Sequence, residues 1–282
     1  MNKKIIIANW KMDSSFDEAQ SWIENLNKKV QQGSNNFPEI VLCPPSVMID
    51  YIDGLLIEHE FEEIEKIRGD IEQVSEEDLE KLITQLRIIK LGGQDCSSQD
   101  SGAFTGDISA RMLKDCGAWY VIVGHSERRR RYAETNQSVS KKIGAAIKQC
   151  LVPIICIGES EAQRQNYNYQ DFIIDQLEHS LPKGIEIKNL IVAYEPVWAI
   201  GSGKIPTIEQ IEEIAALIKR ELFKNKNISD FKIVYGGSVN QNNSRELLSI
   251  KNIDGLLVGG ASLNPEEFFN ILNNIPNQLH IN

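Results

Sequence analysis

A few short segments hold the residues able to do chemistry. Glu195 and His125 can move protons, and Lys11 is a fixed cation. Two glycine pairs, Gly236-Gly237 and Gly259-Gly260, can turn backbone N–H groups toward an anion. Each has a plainer reading alone. Lys11 could be a surface lysine, His125 a packing or capping histidine, and Glu195, before Pro196, a surface acid. Trp198 could be core packing, the glycines could serve turn geometry, and Cys156 closes a buried-looking strand. The run Arg128–Arg131 reads as a solvated face. Their placement is what argues for a site, because each segment directly follows an apolar run.

Those runs are Lys4–Ala8, Ile40–Cys43, Ile88–Leu91, Trp119–Val123, Pro153–Ile157, Leu190–Ala193, Lys232–Tyr235 and Gly255–Val258. Near-continuous apolar, β-branched runs suit parallel strands buried on both faces. Helical patterns alternate with them. One spans about Phe16 to Gln31, with Ser15 and Glu18 as a capping box, and one spans about Thr207 to Lys224, with Thr207 and Gln210. The last opens with Asn264 as N-cap and Pro265 at the first helical position. Eight strands in 282 residues favour a closed (β/α)8 barrel over an open sheet: one domain, 1–282. Chemistry in such a barrel gathers at the C-terminal ends of the strands, and a phosphate site commonly sits after strands seven and eight.

One stretch does not fit. Leu55 to Arg87 carries eleven acidic and four basic residues and reads as two helical pieces, broken near Gly69-Asp70, with Ser75 and Asp78 able to cap the second. It predicts an acidic helical insertion at about 58–84, between the second helix and third strand, on the face opposite the site. A solvated excursion is the plain reading and a partner-binding element the other.

The net charge of −10 disfavours nucleic acid and anionic membranes as partners, and repels an anionic substrate at long range. Five scattered cysteines without a CxxC pair argue against a disulfide framework or structural zinc. The apolar stretch Ile5–Ala8 is too short for a signal peptide or a membrane span, so a reducing cytoplasm is expected.

Five segments in order resemble the triosephosphate isomerase family: Asn9-Trp10-Lys11-Met12, Gly124-His125-Ser126-Glu127-Arg128, Ala193-Tyr194-Glu195-Pro196-Val197-Trp198-Ala199-Ile200-Gly201, Tyr235-Gly236-Gly237-Ser238-Val239 and Val258-Gly259-Gly260-Ala261-Ser262-Leu263. The resemblance implies a TIM barrel that interconverts dihydroxyacetone phosphate and D-glyceraldehyde 3-phosphate through an enediolate, without metal or cofactor. By the same resemblance Glu195 is the base, neutral His125 the electrophile, Lys11 the electrostatic group and Glu127 an accessory group in proton transfer. Asn9, Gly201, Ser238, Gly259 and Gly260 bind substrate, and residues 196–204 form a closing lid. The family is usually homodimeric. Gln94 to Ile108 resembles its interface loop, with Thr105 at the tip.

Three positions depart from the family pattern. Asp95 stands where asparagine is usual and Ser202 where threonine is common. Asp107 replaces a glutamate expected to pair with Arg128, with one methylene less to reach it. Two other readings remain at this point. A different phosphosugar isomerase or epimerase would fit the phosphate site, although metal-dependent epimerases need clustered histidines, and His59, His179 and His280 lie elsewhere. A binding or scaffold role through the insertion is the other.

Overall fold

The computed structural model describes residues 3–32, 37–67, 87–165, 168–199 and 205–275. Eight strands, β1 (Ile5–Asn9), β2 (Glu39–Cys43), β3 (Ile89–Gly93), β4 (Ala118–Val123), β5 (Val152–Ile157), β6 (Ile187–Tyr194), β7 (Ile228–Tyr235) and β8 (Gly255–Val258), pair in sequence order. All ladders are parallel, and β8 returns to β1, so the barrel closes. A closed sheet has no edge strand.

Period-two alternation decides what lies inside. Ile5, Ile7, Val41, Tyr120, Ile122 and Ile154 belong to the inner cluster. Their neighbours Ile6, Ile40, Leu42, Val121 and Val123 face outward, against a helical shell that contributes Ile23, Leu26, Ile143, Ile214 and Phe268. The helices described are α1 (Phe16–Gln32), α2 (Ile49–Ile67), α3 (Ala110–Asp115), α4 (Ser126–Tyr132), α5 (Asn136–Lys148), α6 (Glu161–Gln165), α7 (Tyr169–Ser180), α8 (Ile208–Lys224), α9 (Ser244–Ser249) and α10 (Pro265–Asn273). The expected caps form. Ser15 and Glu18 exchange hydrogen bonds, Thr207 and Gln210 make a full capping box, and the Asn264 carboxamide accepts from Glu266 and Glu267 N–H ahead of Pro265.

The same alternation turns charged side chains inward at the N-terminal floor of the barrel. Glu39 lies two residues before inward Val41, Lys90 is flanked by outward Ile89 and Leu91, and Lys232 lies two before inward Val234. The Glu39 carboxylate accepts from Lys90 Nζ and Lys232 Nζ, each at 3.0 Å, and from the Tyr120 hydroxyl. Burial alone would raise the Glu39 pKa. The three donors overcome it and lower the carboxyl to about 2.

Two expectations are adjusted. Helix α2 runs on to Ile67, so no structural break occurs at residue 58. Glu60, inside the expected insertion, is buried and paired with Arg87 (Nε to Oε1, 2.8 Å), and Arg87 Nη1 also reaches Asp53 Oδ1 at 2.6 Å. The residue that leads into β3 is thereby tied to α2. The Gly69-Asp70 break and the Ser75–Asp78 cap lie outside the described residues.

Candidate active site

A cavity of about 470 Å³ opens at the C-terminal ends of the strands. It is lined among others by Asn9, Lys11, His125, Glu127, Arg130 and Glu195, together with the turns after β7 and β8. Residues from five strand ends thus meet at one mouth.

Glu195 directly follows β6 and is buried. Its backbone passes so close to β5 that a Cβ on Gly158 would lie 1.7 Å from the Glu195 carbonyl oxygen, so only glycine fits there. One carboxylate oxygen accepts from His125 Nε2 at 2.9 Å and the other from the Ser126 N–H at 3.1 Å. Burial opposes its charge, but the His125 ring, the Ser126 N–H and Lys11 outweigh that and hold the carboxyl below its usual range.

His125 sits at the N-cap of α4, where Gly124, at φ +66°, turns the chain out of β4. Its Nδ1 accepts from the Glu127 N–H at 3.2 Å, so that nitrogen carries no proton and Nε2 does. Burial disfavours the imidazolium, and the Glu195 carboxylate favours it more strongly, so the ring's pKa is raised on balance. The hydrogen bonds drawn here belong to the neutral ring, because an imidazolium would have no lone pair for the Glu127 N–H.

Lys11 adopts φ +58°, a left-handed conformation that costs a non-glycine residue energy. Two contacts hold it. Asn9 Oδ1 accepts from the Lys11 N–H at 3.1 Å, and Gln94 Nε2 donates to the Lys11 carbonyl at 2.7 Å. Lys11 Nζ then meets Glu127 Oε1 at 2.6 Å. Gln94 was expected only as the start of the interface loop. Its grip on Lys11 has no signal in the sequence, because it depends on β2 lying between β1 and β3.

At the other side of the cavity lie Ser238 after β7 and Gly259 and Gly260 after β8, where Gly260 opens a single 3-10 turn. The first residues of the expected lid are latched. Trp198 Nε1 donates to Glu159 Oε1 at 2.9 Å, the Val197 N–H to the Glu159 carbonyl at 3.0 Å, and Ser238 Oγ to the Ala199 carbonyl at 2.8 Å. Burial raises the Glu159 pKa. Residues 200–204, including Gly201 and Ser202, lie outside the described residues. Thr105 is exposed on the loop after β3, away from the cavity lining. Cys156 is buried inside the barrel, and burial pushes its thiol well up, as a packing residue requires.

Within this chain, Asp107 and Arg128 have other partners among the described residues. Asp107 Oδ2 accepts from Ser97 Oγ at 2.7 Å. Arg128 pairs with Asp95 at 2.7 Å and Glu134 at 2.8 Å, and Lys142 bridges the same two carboxylates. Asp107 thus bonds within its own loop, and Asp95 and Glu134 hold Arg128 within the chain. Among the described residues no three His, Cys, Asp or Glu side chains group as a metal site, and no helix is long and apolar enough to cross a membrane.

The sequence matches the model of the triosephosphate isomerase family over residues 4–66 and 70–275. It is 38% identical over 278 residues to the triosephosphate isomerase of Shewanella sp. (strain MR-4), covering 96% of each chain, and equally to that of Shewanella oneidensis. The crystal structure of triosephosphate isomerase from Bartonella henselae superposes with a TM-score of 0.78 at 33% identity, covering 97% of this chain and 99% of that one.

Proposed function

The chain belongs to the triosephosphate isomerase family and interconverts dihydroxyacetone phosphate and D-glyceraldehyde 3-phosphate, and we propose that Glu195 is the base that carries the proton between the two carbons. The observation that supports this most is the shared donor at His125. In the resting site Glu195 occupies the Nε2–H of His125. A substrate carbonyl oxygen taking that donor polarises the carbonyl and at the same time releases the carboxylate. Freed from His125 and from the Ser126 N–H but still buried, Glu195 keeps only Lys11 of the groups that depress its pKa and becomes a stronger base.

Glu195 then removes a proton from the carbon beside the carbonyl. Negative charge builds on the oxygen, where the His125 N–H and the Lys11 ammonium stabilise it. The proton returns from Glu195 to the neighbouring carbon, while His125 Nε2 gives its proton to the first oxygen and takes the hydroxyl proton of the second as the other carbonyl forms, so the net change is an isomerisation. Glu127 holds Lys11 in place through the 2.6 Å ion pair and fixes the His125 tautomer through its backbone N–H. Asn9 orients the substrate and supports Lys11. Ser238 and the N–H groups of Gly259 and Gly260, with Gly201, take the phosphate, and the segment 196–204 closes over it, excluding water from the enediolate.

A steady-state assay on glyceraldehyde 3-phosphate tests the assignment. Glu195→Gln is expected to lower kcat at least ~10²-fold, the lower range for a lost general base. Turnover near wild type in that variant would remove Glu195 from the role.

Two further readings accompany this one. A homodimer is supported by exposed Met12, Val47 and Phe104, which follow the adjacent strands β1, β2 and β3. Thr105 would then meet the second copy near its Lys11, and a single-subunit mass in solution would refute it. Free, buried Cys43, Cys96 and Cys156 support a reducing cytoplasm.

A further inference from the structure

Four consecutive arginines, Arg128 to Arg131, follow the site histidine and its two neighbours. A helix turns about 100° per residue, so consecutive side chains leave in different directions. Arg128 is committed to Asp95 and Glu134. Arg129 is half-buried and bonds the Gly124 carbonyl at 2.8 Å and Asn136 Oδ1 at 2.7 Å. Arg130 differs from both. It is exposed, it lines the cavity that holds Glu195, and it makes no hydrogen bond or ion pair with the described residues. Arg131 is exposed too but lies outside the lining.

The charge balance of the cavity gives this side chain its significance. Among the described residues its charged lining side chains are Lys11, Arg130, Glu127 and Glu195. Lys11 is neutralised by Glu127 at 2.6 Å. Without Arg130 the described lining would carry the uncompensated charge of Glu195, in a chain whose net charge is already −10. The substrate is a phosphate dianion and would be repelled by both.

We propose that Arg130 is a capture residue: a guanidinium, without a partner among the described residues, at the rim of the cavity that draws the phosphate of the incoming triose toward Lys11 and the turns after β7 and β8. It acts on association and leaves the proton transfer alone. This rests on the phosphorylated triose being the substrate. It also accounts for how a strongly acidic protein admits an acidic substrate, since a local cation at a low-dielectric mouth outweighs distant negative charge within a Debye length.

Kinetics of Arg130→Gln, Arg130→Lys and Arg130→Glu over a range of salt concentrations test it. At about 10 mM ionic strength, where the Debye length is about 30 Å, Arg130→Gln should lower kcat/KM about 3–10-fold, with kcat within about twofold of wild type. Arg130→Lys should keep most of the wild-type value, and Arg130→Glu should fall below Arg130→Gln. The differences should close as salt rises to about 0.3 M and screening takes over. Equal kcat/KM for wild type and Arg130→Gln at low salt would overturn the proposal. So would a deficit that persists unchanged at high salt, which would mark a direct contact, or a loss confined to kcat. Failure of the wild type to turn over glyceraldehyde 3-phosphate would instead strike the substrate reading.

Discussion

The two ends of the barrel both hold inward-facing charge, and they use it differently. At the floor, the Glu39 carboxylate has a donor from each of three strands: Lys90, Tyr120 and Lys232. At the mouth, Glu195 is bonded to His125 and Ser126, groups a substrate can displace, and Arg130 has no partner among the described residues. A saturated cluster locks strands together. An unsaturated one keeps part of its interaction energy for a ligand, and stability is lower for it. The contrast separates a structural charge from a working one where burial alone does not, since both carboxylates are largely removed from water.

The sharpest way to break this comparison is to remove one carboxylate from each end. Glu195→Gln, expected to slow turnover at least ~10²-fold, should leave the unfolding midpoint unchanged or slightly raised, as working sites commonly cost stability. A large fall in midpoint would show that the mouth is structural too. Glu39→Gln should do the reverse. Its depressed pKa means that Glu39 contributes stability above its unfolded pKa of roughly 4.3 and loses it as pH falls through about 2. That shift corresponds to about 3 kcal/mol at neutral pH. Urea unfolding at pH 7 should show that loss with kcat intact. The wild type should lose stability between about pH 5 and 2, and the variant should be flatter across that window. Identical pH profiles would refute the floor assignment.

Smaller effects extend the comparison to the outer side of the floor. Arg87→Met leaves Asp53 and buried Glu60 without their shared partner, and should cost about 1–3 kcal/mol in urea unfolding without changing kcat/KM. An unchanged midpoint would show that the tie between α2 and β3 is idle. The smallest effect is expected from excising residues 70–84. We read that stretch as an insertion in a single barrel domain, remote from the mouth, and kcat/KM should stay within about threefold while Glu60 and Arg87 are retained. A collapse of activity in a folded excision variant would contradict that placement.

All eight strands are legible because each is a β-branched run buried on both faces. What the sequence hides lies at their ends. Strands β6 and β7 begin at Ile187 and Ile228, earlier than the apolar runs indicate, since Lys188, Asn189, Ser229 and Asp230 sit at the floor rim where polarity is tolerated. Glu39 falls outside an expected β2 that starts at Ile40, so the carboxylate that meets Lys90 and Lys232 inside the barrel is not anticipated. The site residues are legible through their position after strands and through the family motifs. Arg130 is not, because in one dimension four arginines look alike and only the turn of α4 gives them separate neighbours. The Asp95 carboxylate as a partner of Arg128 within the chain is not legible either, because only the path of the loop after β3 brings the two together.

The left-handed backbone of Lys11 sets two selections against each other. Glycine at that position would relax a conformation that costs an L-residue roughly 1–2 kcal/mol, while removing the ammonium the reaction needs. A library of variants screened only for heat resistance should therefore accumulate glycine or asparagine at position 11 and lose turnover as it does so. A library screened for growth on a carbon source that must pass through triose phosphate should keep lysine and its strain. The position thus reports which pressure a population of variants has been under.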